Sequence, residues 1–365
     1  MKFISHPKII NSIFFILMFL SGCNKQSEPL QYNDPIWMKD FDGYSRDMHI
    51  QNDTLFVVNE DEGLLIYNLE IDTLINTLTF SSLHSDSAYY QNKSWDLSGI
   101  LFSDMKKIII LDGFECVRFA DLSDVLSEEN TSHLFQDLQC AASNHHSSRF
   151  TINNGNEKID IFTLVRKVSS YSTSDISAIY QSKWINGFID EFLVIDSLNY
   201  DLTDVHYMNN KLVISHTNEN SPEFQIYDIS ITEGLFADTL IFVNTIETPA
   251  TPNALYSTGD TLFVGMGDHG GVIVYDLSNA DTEDQIAEFA SGFSVKEVFW
   301  DPLDRLLLLS CGYQGVVVLE LDGNMQEIDS WVINTSYAYA ARNYMGNTIV
   351  ATRKGLEIIT LNNDQ

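Results

Sequence analysis

The stretch Asp260-Thr-Leu-Phe-Val-Gly-Met-Gly-Asp-His-Gly-Gly-Val-Ile-Val-Tyr-Asp-Leu-Ser278 decides how the chain is read. Two short apolar runs, Leu262–Val264 and Val272–Leu277, flank a turn of Gly, Asp and His. Such runs around a glycine-rich turn predict a β-hairpin. The pattern recurs. Seven segments place an apolar strand after a glycine or polar turn: Gly63–Tyr67, Glu115–Phe119, Lys158–Phe162, Glu223–Tyr227, Gly271–Tyr275, Gly315–Leu319 and Gly355–Ile359. Their last residues lie 52, 43, 65, 48, 44 and 40 positions apart. A period in the forties with several short strands per unit predicts an all-β fold, a seven-bladed β-propeller of four-stranded antiparallel blades.

The rest of each unit follows from that reading. A strand precedes each segment, as at Leu55–Val58, Phe150–Ile152 and Leu306–Leu309. An inner strand precedes that, as at Asp47–Ile50 and Asp204–Tyr207, and an outer one follows, as at Phe192–Ser197. Blades stacked around an axis are covered on both faces, so their central strands should be continuously apolar. The last unit ends after its third strand. Pro35–Phe41 is expected to supply the missing outer strand and close the ring without a free edge. Two long insertions, 81–96 and 168–187, interrupt the rhythm.

Gly271-Val-Ile-Val-Tyr-Asp-Leu-Ser278 resembles the unit of the LVIVD family, a strand, a Gly-rich turn and then Gly-Leu-x-Ile-x-Asp-Val-Ser. The segments ending at Tyr67 and Leu319 are similar to it; units two to four lack the glycine, and the last has Thr360 in place of the aspartate. The resemblance spans most of residues 47–361. It implies a β-propeller on secreted or cell-surface proteins and transfers no catalytic residue.

The N-terminus reads as targeting. Lys2 and Lys8 precede an apolar run from Ile9 to Leu20, too short for an ordinary spanning helix and suited to a signal peptide over residues 1–22. Leu20-Ser-Gly-Cys23 resembles the bacterial lipoprotein signal, which implies cleavage before Cys23 and lipidation of its thiol. Several acyl chains hold a protein to a bilayer without spanning it. Position 24 is Asn, where inner-membrane retention resembles Asp, so an outer-membrane lipoprotein on the periplasmic or cell-surface side is expected. Residues 23–33 then form a lipidated tether and 34–365 the propeller.

The chain carries 51 acidic and 20 basic side chains, a net charge of −31. That excess argues against nucleic acid, whose phosphates need cations, and against adhesion to anionic lipid by charge. The propeller model puts the turns between second and third strands on one face, together with the starts of the inner strands. Arg46, Asp47, Asp61, Asp112, Asp204, Asn253, Asp268, His269, Glu297, Tyr313, Arg342 and Arg353 are the candidate binding residues at that channel mouth and its loops. No cofactor is expected, although the carboxylates leave room for a structural divalent cation. Adjacent His145 and His146 would point to opposite faces of a strand. No EF-hand, P-loop or Gly-x-Ser-x-Gly pattern occurs. Besides Cys23, the cysteines are Cys116, Cys140 and Cys311; Cys116 and Cys140 are the pair closest in sequence. Two functional classes remain. One is a lipid-anchored binding or scaffold module for a protein or glycan partner. The other is an envelope enzyme, of polysaccharide hydrolase or lyase type, using acidic residues at the mouth.

Overall fold

A computed structural model describes residues 31–33, 37–41, 43–60, 62–78, 97–103, 107–112, 116–127, 136–137, 145–154, 158–167, 176–185, 188–198, 201–217, 221–230, 239–278 and 284–360. Seven small sheets follow one another along the chain, over residues 45–78, 97–137, 145–198, 201–247, 252–289, 297–333 and 338–360. These are blades one to seven. The first strand of each is innermost, and neighbouring innermost strands lie side by side right round the ring, Ala338–Tyr344 of blade seven against Ser45–Gln51 of blade one. Helix is confined to Leu122–Leu126 among the described residues.

The core is not one mass but seven layers, each held between two blades. Phe56, Val58, Leu64 and Ile66 of blade one meet Ile108 and Ile110 of blade two. Leu55, Val57 and Leu65 point the other way, onto Ile349, Ala351 and Leu356 of blade seven. Blade six divides likewise: Leu307 and Leu309 pack with Phe263 and Val274 of blade five, while Leu306 and Leu308 pack with Val350 and Ile359 of blade seven. Successive side chains on a strand face opposite ways. A strand covered on both sides is therefore apolar at every position, and Leu306–Ser310 is buried throughout. At about 25 cal/mol per Å², hydrophobic burial of these layers is the principal force holding one blade to the next.

The N-terminal segment closes the ring as expected. Trp37–Asp40 pairs antiparallel with Gly355–Thr360 and completes blade seven, with Trp37 opposite Ile358 and Asp40 opposite Gly355. Gln31–Asn33, expected in the tether, instead adds a fifth, parallel strand to the outer edge of blade six, opposite Trp331–Ile333. Its sequence, Gln-Tyr-Asn, carries no apolar pattern that would mark it as a strand.

Blade three corrects the sequence reading. Phe150–Ile152 belongs to its innermost strand, His145–Asn154, not to its second. Lys158–Lys167 is second, and Ile176–Ile185, within the expected insertion 168–187, is the third strand. That strand buries Gln181, Ser182 and Lys183 beside Ala178 and Ile179, so it lacks the apolar run that marks its counterparts. The insertion 81–96 lies outside the described residues, as do Cys140 and the side chain of Cys116.

The repeat glycine has a physical cause. Gly63, Gly271, Gly315 and Gly355 each sit at the turn into the third strand with φ of 98°, 72°, 80° and 113°. A Cβ on Gly271, Gly315 or Gly355 would overlap a carbonyl oxygen of the strand alongside, that of Phe289, Ile333 or Lys39 respectively. At Gly355 the neighbour is the ring-closing strand itself. Gly355→Ala should therefore cost about 3 kcal/mol, from left-handed backbone strain plus displacement of Lys39. Gly346→Ala, with φ of 77° but open space around it, should cost about 1 kcal/mol. Chemical denaturation measures both, and equal losses would mean that the closing strand is not seated on Gly355.

Candidate functional site: the channel mouth

Each innermost strand starts on the same face, and most start with an irregularity. Ladder pairing skips one residue between Ser45 and Asp47, Leu97 and Gly99, Leu202 and Asp204, Pro252 and Ala254, and Ala338 and Ala340. The extra residues are Arg46, Ser98, Thr203, Asn253 and Tyr339. A β-bulge turns its extra side chain away from the regular alternation. All five line a cavity of about 380 Å³ at the axis, joined by Arg149 of blade three, Lys296 of blade six and Tyr337. Much of the mouth is thus built by one repeated backbone device, with a different side chain from each of five blades.

Below it lies a second cavity of about 200 Å³, lined in part by Asp47, Asp204, Glu297 and Arg342. Here the carboxylates stitch blades together. Asp47 accepts from the amide of Ile100 in blade two at 3.0 Å, and Asp204 from that of Leu255 in blade five at 2.7 Å. Glu297 accepts from the amide of Ala341 in blade seven at 3.3 Å and from the Ser310 hydroxyl at 3.0 Å. Arg342 donates to Glu297 and, at 3.1 Å, to Asp47, which ties blades six, seven and one together. Asp47, Asp204 and Glu297, three of the six acids named as site candidates, are therefore brought to one channel, but as structural groups with their oxygens engaged.

Burial and charge set the protonation of this layer. Burial pushes Asp47 up to about 6, against the pull of Arg342 and with help from Glu297. Burial also raises Asp204, opposed by Arg149. His49 is stacked on Phe102 at 4.1 Å, and burial lowers it to about 4. His206, 2.9 Å from the Ser257 hydroxyl, is likewise lowered to about 4 by burial.

Beside the mouth, cations and tyrosines interleave. The Arg353 guanidinium lies 4.4 Å from the ring centre of Tyr337 and 4.8 Å from that of Tyr313, and it donates to the Tyr313 hydroxyl. Arg46 lies 4.7 Å from Tyr339 and 5.1 Å from Tyr44, while pairing with Glu60 at 3.0 Å. Tyr313 is 71% exposed. Asp268 and His269 occupy the turn between the second and third strands of blade five with φ of 49° and 66°, and His269 is tied to Gly292 and Ser294. They share the face but do not line the cavity. The side chains of Asp61 and Asp112 lie outside the described residues. Asn253 lines the mouth and donates to the Val295 carbonyl at 3.2 Å.

Arg149, Tyr337 and Tyr339 were not singled out in the sequence. Arg149 was hidden by the misassigned strands of blade three. The signal that could have found it is the polar residue at the head of an inner strand, as in Arg46, Thr203 and Lys296. No set of three or more His, Cys, Asp and Glu side chains suited to a metal ion occurs among the described residues. Cys311 is buried and unbridged, its thiol pushed up to about 12 by burial.

No family model matches the chain, and no curated protein matches it. Solved structures do. A chain of a mitotic checkpoint complex aligns over 99% of this chain and 98% of its own length, with TM-score 0.62 and 11% identity. The RRP9 WD40 repeats align over 91% and 99%, with TM-score 0.61 and 10% identity. The Neurospora crassa Pan2 WD40 domain aligns over 88% and 91%, with TM-score 0.56 and 13% identity. At these identities the likeness is one of fold: a seven-bladed, WD40-like propeller.

Two outcomes test the channel layer. Arg342→Met leaves Asp47 and Glu297 without their shared cation and should cost about 3 kcal/mol at pH 7. The loss should shrink at pH 5, where Asp47 takes up a proton; a loss independent of pH would reject the coupling. His206 has a folded pKa below its unfolded value, so its contribution is full above 6.5 and is lost as pH falls toward about 4. Between pH 7 and pH 5 that amounts to roughly 2 kcal/mol. Asp47 runs the other way, with its contribution full below 3.8 and lost as pH rises through about 6. Denaturation of His206→Gln should therefore show roughly 2 kcal/mol less weakening on acidification than the parent chain.

Proposed function

We propose that the chain is a lipid-anchored cell-envelope binding module, a propeller held at Cys23 that presents its channel mouth to a protein or glycan partner. One observation carries the binding part. Bulges in five innermost strands aim side chains into the mouth, while the carboxylates below it are spent on joining blades. An enzyme of the hydrolase or lyase type needs acids free to move protons. Asp47, Asp204 and Glu297 each accept backbone amides of the next blade, which favours binding over catalysis. A propeller chain in a mitotic checkpoint complex illustrates the fold as part of a multiprotein assembly.

The anchoring part rests on Leu20-Ser-Gly-Cys23 after its apolar run. The first described strand also bears on geometry. Gln31–Asn33 runs parallel to the outer strand Glu327–Ile333, with Gln31 opposite Trp331 and Asn33 opposite Ile333. Cys23 lies eight residues before Gln31, a reach of at most about 28 Å.

Photoreactive residues placed in cells test the reading. A probe at Tyr313, on the mouth face, should capture a discrete partner, and one at Leu303, 91% exposed on the opposite face, should not. Cys23→Ser should release the chain from the membrane fraction. Asp204→Asn with Glu297→Gln should keep both the Tyr313 capture and every phenotype of the parent; loss of a phenotype from a variant that still captures the partner and melts cooperatively would favour the enzyme instead.

A further inference from the structure

We propose that the mouth receives an acidic peptide, with an aspartate or glutamate side chain or a C-terminal carboxylate of a partner protein seated near Arg149, Lys296 and Arg353. The inference names the partner for the binding face proposed above and rests on that reading.

Acids outnumber bases 51 to 20 in this chain, so an average cation should find a carboxylate. Most do. Lys39 pairs with Asp72, Lys107 with Asp121, Lys211 with Asp228, Arg46 with Glu60, and Arg342 with Asp47 and Glu297. Among the described residues, Arg149, Lys296, Arg305, Arg353 and Lys354 have no carboxylate within 4 Å, and all of these but Arg305 belong to the mouth face, where they cluster. Arg149 donates only to the Lys296 carbonyl at 3.0 Å, and Arg353 to the hydroxyls of Tyr313 and Tyr339. Asp204 feels the charge of Arg149, but its two oxygens are taken by the amides of Val205 and Leu255. Unpaired cations around a concave site focus potential there and attract an anion. Charge-assisted hydrogen bonds to a carboxylate are stronger than the neutral ones these groups now make.

The tyrosines favour peptide over sugar. A saccharide ring stacks on an open aromatic face, but Arg353 covers faces of Tyr337 and Tyr313, and Arg46 a face of Tyr339. Packed tyrosine and arginine around a pocket are instead the residues that dominate peptide hot spots. A cavity of about 380 Å³ has room for one or two side chains, not for a folded domain.

The test titrates fluorescein-labelled hexaglutamate into the full chain in detergent and follows anisotropy. Saturable binding is expected, weakening steeply with salt because the charges face solvent. Lys296→Gln with Arg353→Gln should weaken it at least about tenfold, the loss of two charge-assisted contacts. Arg305→Gln, on the opposite face, should leave it unchanged. Arg353→Gln alone, at the partly exposed rim, serves if the double variant melts early, and should weaken binding several-fold. Absence of hexaglutamate binding, insensitivity to both mouth variants, or equally tight binding of hexalysine overturns the proposal. Polygalacturonate binding in place of hexaglutamate overturns it in favour of an anionic glycan. Partner capture at Tyr313 without hexaglutamate binding removes the acidic peptide while leaving the binding face; loss of that capture removes both.

Discussion

A sheet of three or four short strands with two apolar faces survives in water only between two others. Everything else in this protein is arranged around that constraint. The second and third strands of blades one, five, six and seven are almost wholly buried, and they divide their side chains between the blade before and the blade after. Seven such layers leave no blade with an uncovered face only if the last meets the first. The ring is therefore closed by strands from both ends of the chain, and Gly355 permits the close approach of Lys39 that this requires.

Closing a ring brings seven innermost strands together at an axis, where apolar stacking gives way to polar groups that need partners. Two devices meet that need. Carboxylates at the heads of strands accept amides from the next blade, and Arg342 neutralises two of them at once. Bulges then turn the neighbouring residue up into the mouth. Neighbouring residues at these strand heads thus do different jobs: Asp47 and Asp204 hold the ring, while Arg46 and Thr203 line the mouth. The ring-holding and the mouth-lining residues are separated by one position and one extra backbone unit.

The acidity of the chain gives this mouth its character. A surface at −31 overall keeps the protein soluble and repels anions in general. Cations left without carboxylates cluster at the mouth against that background, and the Tyr337 and Tyr313 rings pack against the guanidinium of Arg353.

Much of this was legible in the amino-acid order. The repeat period, the continuous apolar strands, the recurring Gly and the Trp37–Asp40 closure follow from local rules: side chains alternate along a strand, glycine tolerates positive φ, and an unpaired edge invites a strand. So does the placement of Arg46, Asp47, Asp204, Asn253, Glu297 and Arg342 around one channel. What the sequence could not carry is the third strand of blade three, whose buried Gln181 and Lys183 imitate a loop, and the edge strand Gln31–Asn33, which has no apolar pattern to mark it. Nor could it say which face a residue beside a bulge would take. A bulge shifts the two-residue alternation by one, and whether the ladder skips at Arg46 or at Asp47 is decided by how neighbouring blades pack at the axis, which exists only once the ring has closed.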